Sequence, residues 1–486
     1  MDLSRKTKIV CTIGPATEGK EMISSLIGSG MDVARLNFSH GEHERHRRVF
    51  EDIRSLSRDN DRNVAILCDI QGPKIRTGSM AKKFYLNPGD TVRVTPDPVL
   101  GTEKRFTIDH PDLLEDLGIY DEIFLNDGIV KLRVIEKEND SLVCTVRAGG
   151  MVSDRKGCNI PGVDLSVKIP TDKDMEDLDL IAELDPEYVA VSFVARADDV
   201  TGVGEYLLDR GSKDIRIIAK IERPVALKNL QDIVGVSDGI MVARGDLGVE
   251  IPPHEVPVWQ KEMCRLCNRA GIPVIVATQM LESMVEHSRP TRAEASDVFN
   301  AVLDGADAVM LSNETSVGKH PVQAVEFMND IVMTAEGELP DRDPDYYDSD
   351  EQCAVETIGH ACFTLVKEFN DRSYPGKVLA ITDTGHLARM ISKYRPSRSI
   401  IAVTPSERTA REMALVWGVV PYFSEDIESS DLENRIMSSI GAVHSLNILG
   451  PGEKVIVVSS SVRIGDDGMI TGVYDVGSTI HEDTDL

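Results

Sequence analysis

The sequence is short of positive charge. Over 486 residues, 53 Lys and Arg stand against 81 Asp and Glu, giving a formal net charge of −28 and a pI of about 4.8. A partner bound by phosphate neutralisation needs a basic footprint, which argues against nucleic acid and anionic membrane surfaces. Long apolar runs are missing too: none approaches the ~20 residues of a membrane span. The start, Met-Asp-Leu-Ser-Arg-Lys-Thr-Lys, carries charge where a signal peptide needs an apolar stretch, so the expected location is the cytoplasm. The eight cysteines are scattered rather than dense, which argues against a small disulfide framework. Cys264 and Cys267 form a C-x-x-C with no second pair nearby, inside a pattern that predicts an amphipathic helix stopped by Gly271. Packing is the expected role, not zinc or redox chemistry. Neither G-x-x-x-x-G-K-[ST] nor G-x-G-x-x-G occurs, so a nucleotide, if bound, must be held by side chains and metal.

What is present is ordinary globular material, 41% hydrophobic and 28% charged, in a length that suits about three domains. Short β-branched runs alternate with helical periods. Strands are predicted at Lys8 to Ile13, Val33 to Asn37, Val64 to Asp69, Tyr188 to Phe193, Ile215 to Ile221, Ile240 to Ala243, Pro273 to Thr278 and Ala308 to Leu311. Helical patterns such as His43 to Leu56, Ala197 to Leu208, Val225 to Val234 and Arg292 to Leu303 lie between them. Eight such units predict an α/β fold, a (β/α)8 barrel, over residues 1–71 and 170–340. Residues 72–169 break the rhythm with short alternating stretches and turn signals, which predict an inserted all-β domain, a small β-barrel placed to act as a lid. An acidic, Pro-bearing linker follows Leu339. Residues 341–486 then read as a C-terminal α/β domain for regulation or assembly, with strands at Val378 to Thr382, Ile400 to Val403 and Val455 to Val458 and helices including Glu407 to Trp417.

The strand ends carry the chemistry. Arg35-Leu-Asn37-Phe-Ser39-His40 closes the second, Asp69 the third, Lys220-Ile-Glu222 the fifth, Arg244-Gly245-Asp246 the sixth, Thr278-Gln279 the seventh and Ser312 the eighth. On a barrel these converge on one pocket. Glu222 and Asp246, from adjacent strands, suit one hard divalent cation. Lys220, two residues before Glu222 on an extended strand, points the same way and sets an ammonium beside the metal, useful for a phosphoryl group in transit. Gly245 and Asp246 offer backbone amides to a carboxylate. His40, His43 and His46 drift around a helix among charged residues and read as a solvated face, not a metal site.

Thr-Lys-Ile-Val-Cys-Thr-Ile-Gly-Pro-Ala-Thr near the start, Ala34-Arg-Leu-Asn-Phe-Ser-His-Gly, Ala219-Lys-Ile-Glu, Met241-Val-Ala-Arg-Gly-Asp-Leu-Gly-Val-Glu and Ala277-Thr-Gln-Met-Leu-Glu-Ser-Met carry a resemblance. In order and spacing, over essentially the full length, the chain resembles pyruvate kinase. The resemblance implies phosphoryl transfer from phosphoenolpyruvate to ADP, giving pyruvate and ATP, with Mg²⁺ (or Mn²⁺) and a homotetramer. It implies that Lys220 stabilises the transferring group and the enolate, and that Glu222 and Asp246 ligate the metal. Gly245, Asp246 and Thr278 would hold the substrate carboxylate and Arg35 the phosphoryl group. Asn37 and His40 would face the nucleotide, with Arg76 and Lys156 reaching it from the two ends of the insertion. Thr278 and Ser312 would belong to the proton path to the enolate.

Two departures qualify this. The family's usual K⁺ site corresponds to Asn37, Ser39, Asp69 and the backbone at Ile70, with a Glu where this chain has Lys74 in Gln71-Gly-Pro-Lys74-Ile-Arg76. An ammonium in place of the monovalent cation predicts little dependence on K⁺. In the effector loop, Thr382-Asp-Thr384-Gly385-His-Leu387-Ala388 lacks one hydroxyl and gains Asp383, which predicts weak or absent activation by fructose 1,6-bisphosphate. The alternatives are another Mg²⁺-dependent barrel enzyme acting on an enolate, an aldolase or lyase, which leaves the lid unexplained, and a non-catalytic metabolite sensor, expected to have lost Lys220 or a metal ligand. The excess acid is expected at the surface, in runs such as Thr171 to Asp179 and Asp341 to Glu351.

Overall fold

A computed structural model describes residues 5–126, 128–339, 354–427, 431–450, 452–460 and 469–476. Eight strands form a closed, parallel barrel in chain order: Lys8–Ile13, Val33–Asn37, Ala65–Asp69, Tyr188–Val191, Arg216–Ile221, Gly239–Ala243, Val274–Ala277 and Ala308–Leu311. Nearly every residue in them is buried, as expected of runs such as Lys-Ile-Val-Cys-Thr-Ile that face helices on one side and the barrel interior on the other. Val10, Leu67, Ile218, Met241, Ile275 and Met310 fill that interior, and Ala414 and Leu415 of the C-terminal domain pack into the same cluster. The helix Arg292–Asp304 starts in a capping box of Thr291 and Glu294 and ends at Gly305 in the left-handed region. Cys264 and Cys267 lie fully buried on the helix Val256–Ala270, which Gly271 stops, so packing is their role.

Between the third and fourth barrel strands lies a domain with its own core of Val92, Phe106, Leu132, Leu142 and Cys144. Its six-stranded sheet is open rather than a closed barrel. Single bridges from Arg76 to Gly157 and from Thr77 to Ile108 span the gap between the two ends. A one-turn helix, Leu113–Asp116, interrupts the strands. The C-terminal sheet has five strands, in the order Val419–Phe423, Ile400–Thr404, Gly376–Ile381, Lys454–Ser460, Met469–Asp475, the last antiparallel.

Four expectations need correction. The segment Val225 to Val234 is two helices, Pro224–Lys228 and Leu230–Val236, parted at Asn229, whose side-chain Nδ2 donates to the Ala195 carbonyl at 2.9 Å. The segment Glu407 to Trp417 is helical only to Glu412 and then tightens into the 3₁₀ turn Met413–Leu415 that meets the barrel interior. The run Thr171 to Asp179 belongs to the helix Asp172–Leu184, and Asp174 and Asp177 are buried in it because neighbouring donors satisfy them: Asp177 takes His43 at 2.8 Å and Lys173 at 2.6 Å. His46 is likewise buried rather than solvated; its ring stacks on Phe38 at 4.2 Å and bonds the His40 carbonyl at 2.9 Å. The acidic run Asp341 to Glu351 lies outside the described residues.

Candidate active site

The carboxyl ends of the strands bring together a buried network. Lys220, only 9% exposed, extends from the fifth strand and its Nζ contacts Ser192 Oγ at 2.6 Å, Asp69 Oδ1 at 3.1 Å and Glu222 Oε1 at 3.0 Å. Arg35, from the second strand, donates Nε to Asp69 Oδ2 at 2.7 Å and Nη1 to Thr12 Oγ1 at 3.0 Å. Asp69 therefore faces two cations. Burial alone pushes its carboxyl up, but Lys220 and Arg35 together hold it below the usual carboxylate range. Glu222 accepts the Phe193 amide at 2.8 Å. Burial pushes its carboxyl up to about 7, and Asp246 adds to the rise while Lys220 opposes it. Two carboxylates that repel one another beside a lysine are a site a cation would relieve.

The turn after the sixth strand opens the short helix Arg244–Glu250, on which Asp246 is exposed. Gly245 donates its amide to Thr278 Oγ1 at 2.7 Å. Thr278 and Gln279 both sit in the left-handed region, φ 69° and 53°, and Arg244 braces that turn by donating to the Thr278 carbonyl at 2.7 Å. Ser312 Oγ is buried without a hydrogen-bond partner among the described residues, while its amide donates to Glu314 Oε2 at 2.8 Å.

Several cations surround His40, which the sequence places on the expected nucleotide side. His40 is exposed, yet its imidazole is held below its ordinary value, first by partial burial and then by the charges of Lys74, Arg76, Arg35 and Arg45. Arg76 pairs across the base of the lid with Gly157, next to Lys156, whose amide bonds Thr77 Oγ1 at 2.9 Å. In the expected monovalent-cation pocket, Asn37 Oδ1 accepts the Ser39 amide at 3.0 Å and the Ile70 carbonyl accepts Ser192 Oγ at 2.7 Å. Lys74 is exposed and makes no ion pair among the described residues, and the two Asp69 oxygens are taken by Lys220 and Arg35. Two polar strand ends escaped the sequence reading, Thr12 on the first strand and Ser192 after the fourth. Their signal was the same as elsewhere, a hydroxyl closing an aliphatic run.

Fixed cations at one mouth of a closed barrel, beneath an inserted β domain, make a centre for an anionic substrate. Together they define the class of lidded-barrel enzymes that act on anions. Residues 4–325 match the family model for the pyruvate kinase barrel domain and residues 356–470 that for the pyruvate kinase alpha/beta domain. Among curated proteins, the pyruvate kinase of Staphylococcus saprophyticus is 43% identical over 474 residues, covering 96% of this chain and 79% of the relative. That of Staphylococcus aureus strain MRSA252 is 42% identical over the same length and shares. A crystal structure of a pyruvate kinase from Cryptosporidium parvum superposes with a TM-score of 0.90 at 36% identity, covering 97% of this chain and 96% of that one. The chain belongs to the pyruvate kinase family and is a phosphotransferase of that kind. Among the described residues, no helix is long and apolar enough to cross a membrane.

Proposed function

We propose that this chain transfers the phosphoryl group of phosphoenolpyruvate to ADP, giving pyruvate and ATP, the final step of glycolysis, as a homotetramer of the cytoplasm. The observation that carries the reading is Lys220, a buried ammonium held by Asp69, Ser192 and Glu222 at the strand ends. Phosphoryl transfer needs in-line positioning and neutralised charge more than covalent chemistry. Lys220 and Arg35 supply fixed positive charge, rigid because Asp69 orients both. The Gly245 and Asp246 amides, with Thr278, receive the substrate carboxylate. Asn37, His40, Arg76 and Lys156 orient the nucleotide from the barrel and the lid. Thr278 and Ser312 lie on the proton path that turns enolate into ketone, and the unpartnered Ser312 hydroxyl suits a relay.

Glu222 and Asp246 would hold the divalent cation, Mg²⁺ or Mn²⁺. Among the described residues no three His, Cys, Asp or Glu side chains gather into a metal cage. Two carboxylates fit magnesium, which takes its other oxygens from water and substrate phosphate. Bound there, the cation supplies charge neutralisation for the phosphoryl group.

Independence from K⁺ rests on Lys74, whose charge reaches His40 at the same mouth. Loss of the sugar-bisphosphate response rests on Leu387, buried where responsive relatives carry a hydroxyl, and on Asp383, which is paired with Arg435. One coupled assay of ADP-dependent pyruvate formation tests the whole reading. Activity is expected only with Mg²⁺ or Mn²⁺, and neither KCl at matched ionic strength nor fructose 1,6-bisphosphate should raise it substantially. No pyruvate under any condition would sink the activity, and a rise of about tenfold with KCl would sink the role of Lys74.

A further inference from the structure

The helix Asp172–Leu184 carries a carboxylate that nothing above uses. Asp174 is fully buried, and it joins the two connections on which the lid hangs. Oδ1 accepts the amide of Gly72, in the outgoing connection, at 2.9 Å. Oδ2 accepts the amide of Thr171, in the returning connection, at 2.9 Å, and its hydroxyl at 2.7 Å. One side chain thus ties segments a hundred residues apart in sequence.

The outgoing segment is also coupled to the catalytic network. Gly72 has φ +68°, and a Cβ there would lie 2.9 Å from Ser192 Cβ and 3.0 Å from the Phe193 ring, so the hinge backbone packs directly on those two residues. Ser192 is the residue that receives Lys220 and donates to the Ile70 carbonyl, and the Phe193 amide holds Glu222. Arg76 lies four residues beyond Gly72 and bridges Gly157 at the lid base, next to Lys156. A displacement of Gly72 therefore moves the lid cations and presses on the supports of Lys220 and Glu222 together. Further polar ties between lid and barrel are Asn159 to Glu250 at 3.0 Å, Arg223 to the Val163 carbonyl at 3.3 Å, and an exposed pair between Arg196 and Asp164.

We propose that Asp174 is the positioning residue of the lid hinge, fixing both connections so that Arg76 and Lys156 meet the nucleotide in register with Lys220. This rests on the reading that the lid cations contact ADP. Asp174→Asn keeps the shape but turns one acceptor oxygen into an amide donor facing N–H groups. The expected result is kcat lower by about 10²-fold and a several-fold rise in KM for ADP, while KM for phosphoenolpyruvate stays within about twofold. Hydrogen exchange should rise at residues 70–73 and 167–171 and not in the barrel strands. A folded variant with wild-type kinetics and exchange overturns the proposal. So does a fall in kcat with the ADP and phosphoenolpyruvate KM values and hinge exchange all unmoved. Arg76→Met separates the premise: an unchanged KM for ADP there removes the lid–nucleotide reading, while the exchange result on Asp174→Asn still decides the hinge. If Asp174→Asn does not fold, Thr171→Val, which deletes the hydroxyl's bond to Asp174 Oδ2 and the cap bond it accepts from the Asp174 amide but leaves the bonds from the Gly72 and Thr171 amides, should shift the same parameters less, with Thr171→Ser restoring them. A Thr171→Val enzyme that melts lower but keeps both KM values and hinge exchange refutes it.

Discussion

Lys220 stands between Asp69 and Glu222, both nearly inaccessible, so its charge is structural and chemical at once. Replacing it by Met leaves two buried carboxylates without their shared cation, a loss of about 3–5 kcal/mol when one partner of a buried pair is removed. In the proposed reaction it also removes the fixed charge that would face the transferring group, worth about 10²–10³ in kcat. Lys220→Met is therefore expected to melt well below wild type and to retain at most about one per cent of its activity. Melting followed by circular dichroism and the coupled pyruvate assay check this, and a folded variant at wild-type rate would take Lys220 out of the mechanism. At this scale the sequence was legible where a period of two or a strand end made a side chain stand out, as with Lys220 and Glu222. Asp174 was not legible. Nothing in an acidic run tells which carboxylate will meet two distant amides, so the segment reads as solvent-facing until the fold is known.

Among the elements, the lid's one-turn helix Leu113–Asp116 shows how a short piece is held by its polar contacts. Asp116 bonds the Ser166 amide at 2.8 Å, the Ser166 hydroxyl at 2.7 Å and the His110 ring at 2.6 Å, tying the helix to the chain as it leaves the lid. Burial pushes the carboxyl up, but these hydrogen bonds outweigh it and hold it below the ordinary range. A group depressed in the folded state contributes stability in full above the unfolded carboxylate pKa of about 4, and loses it as pH falls through the folded value. Asp116→Asn should therefore be less stable than wild type at neutral pH, and the gap should close as the pH falls below about 4. Melting temperatures across that range check it, and a constant gap would refute the assignment. Element boundaries were less legible than element existence. The helix from Pro224 broke at Asn229 because a side chain found a tertiary acceptor, and the strand Val419–Phe423, carrying Pro421, was missed because its place at a sheet edge, where proline is tolerated, is decided only by the assembled domain.

Across the whole molecule, the C-terminal domain closes the end of the barrel away from the site. Ala414 and Leu415 enter the barrel core, the Tyr188 hydroxyl donates to the Glu412 carbonyl at 2.6 Å, and Lys8 Nζ donates to the Val419 carbonyl at 2.6 Å. Burial pushes the Lys8 ammonium down to about 8, against the pull of Asp32. The sign follows from that direction. The unfolded chain holds the proton until about 10.4, so the cost of burying the charge is present below pH 8 and relieved between about 8 and 10.4. Relative to Lys8→Met, the wild-type protein should gain stability over that interval. Chemical denaturation at pH 7.5 and 10 measures it, and an unchanged difference would show that Lys8 does not carry the effect.

The net charge of −28 pointed away from anionic partners, yet the site lies among Arg35, Lys220, Lys74 and Arg76. Composition averages over the surface, whereas a site depends on which few charges the barrel brings to one mouth. The barrel, the inserted β domain, the α/β domain and the polar residues that close the strands were all readable from the chain alone. Local periodicity encodes strands and helices, and strand ends on a closed barrel must converge. Only the fold shows which buried acids are paired, that Lys220 and Arg35 take both Asp69 oxygens, that Ser192 and Thr12 hold those two cations, and that Asp174 spans the two lid connections. These depend on atoms far apart in the chain coming within about 3 Å, a distance that no local pattern specifies.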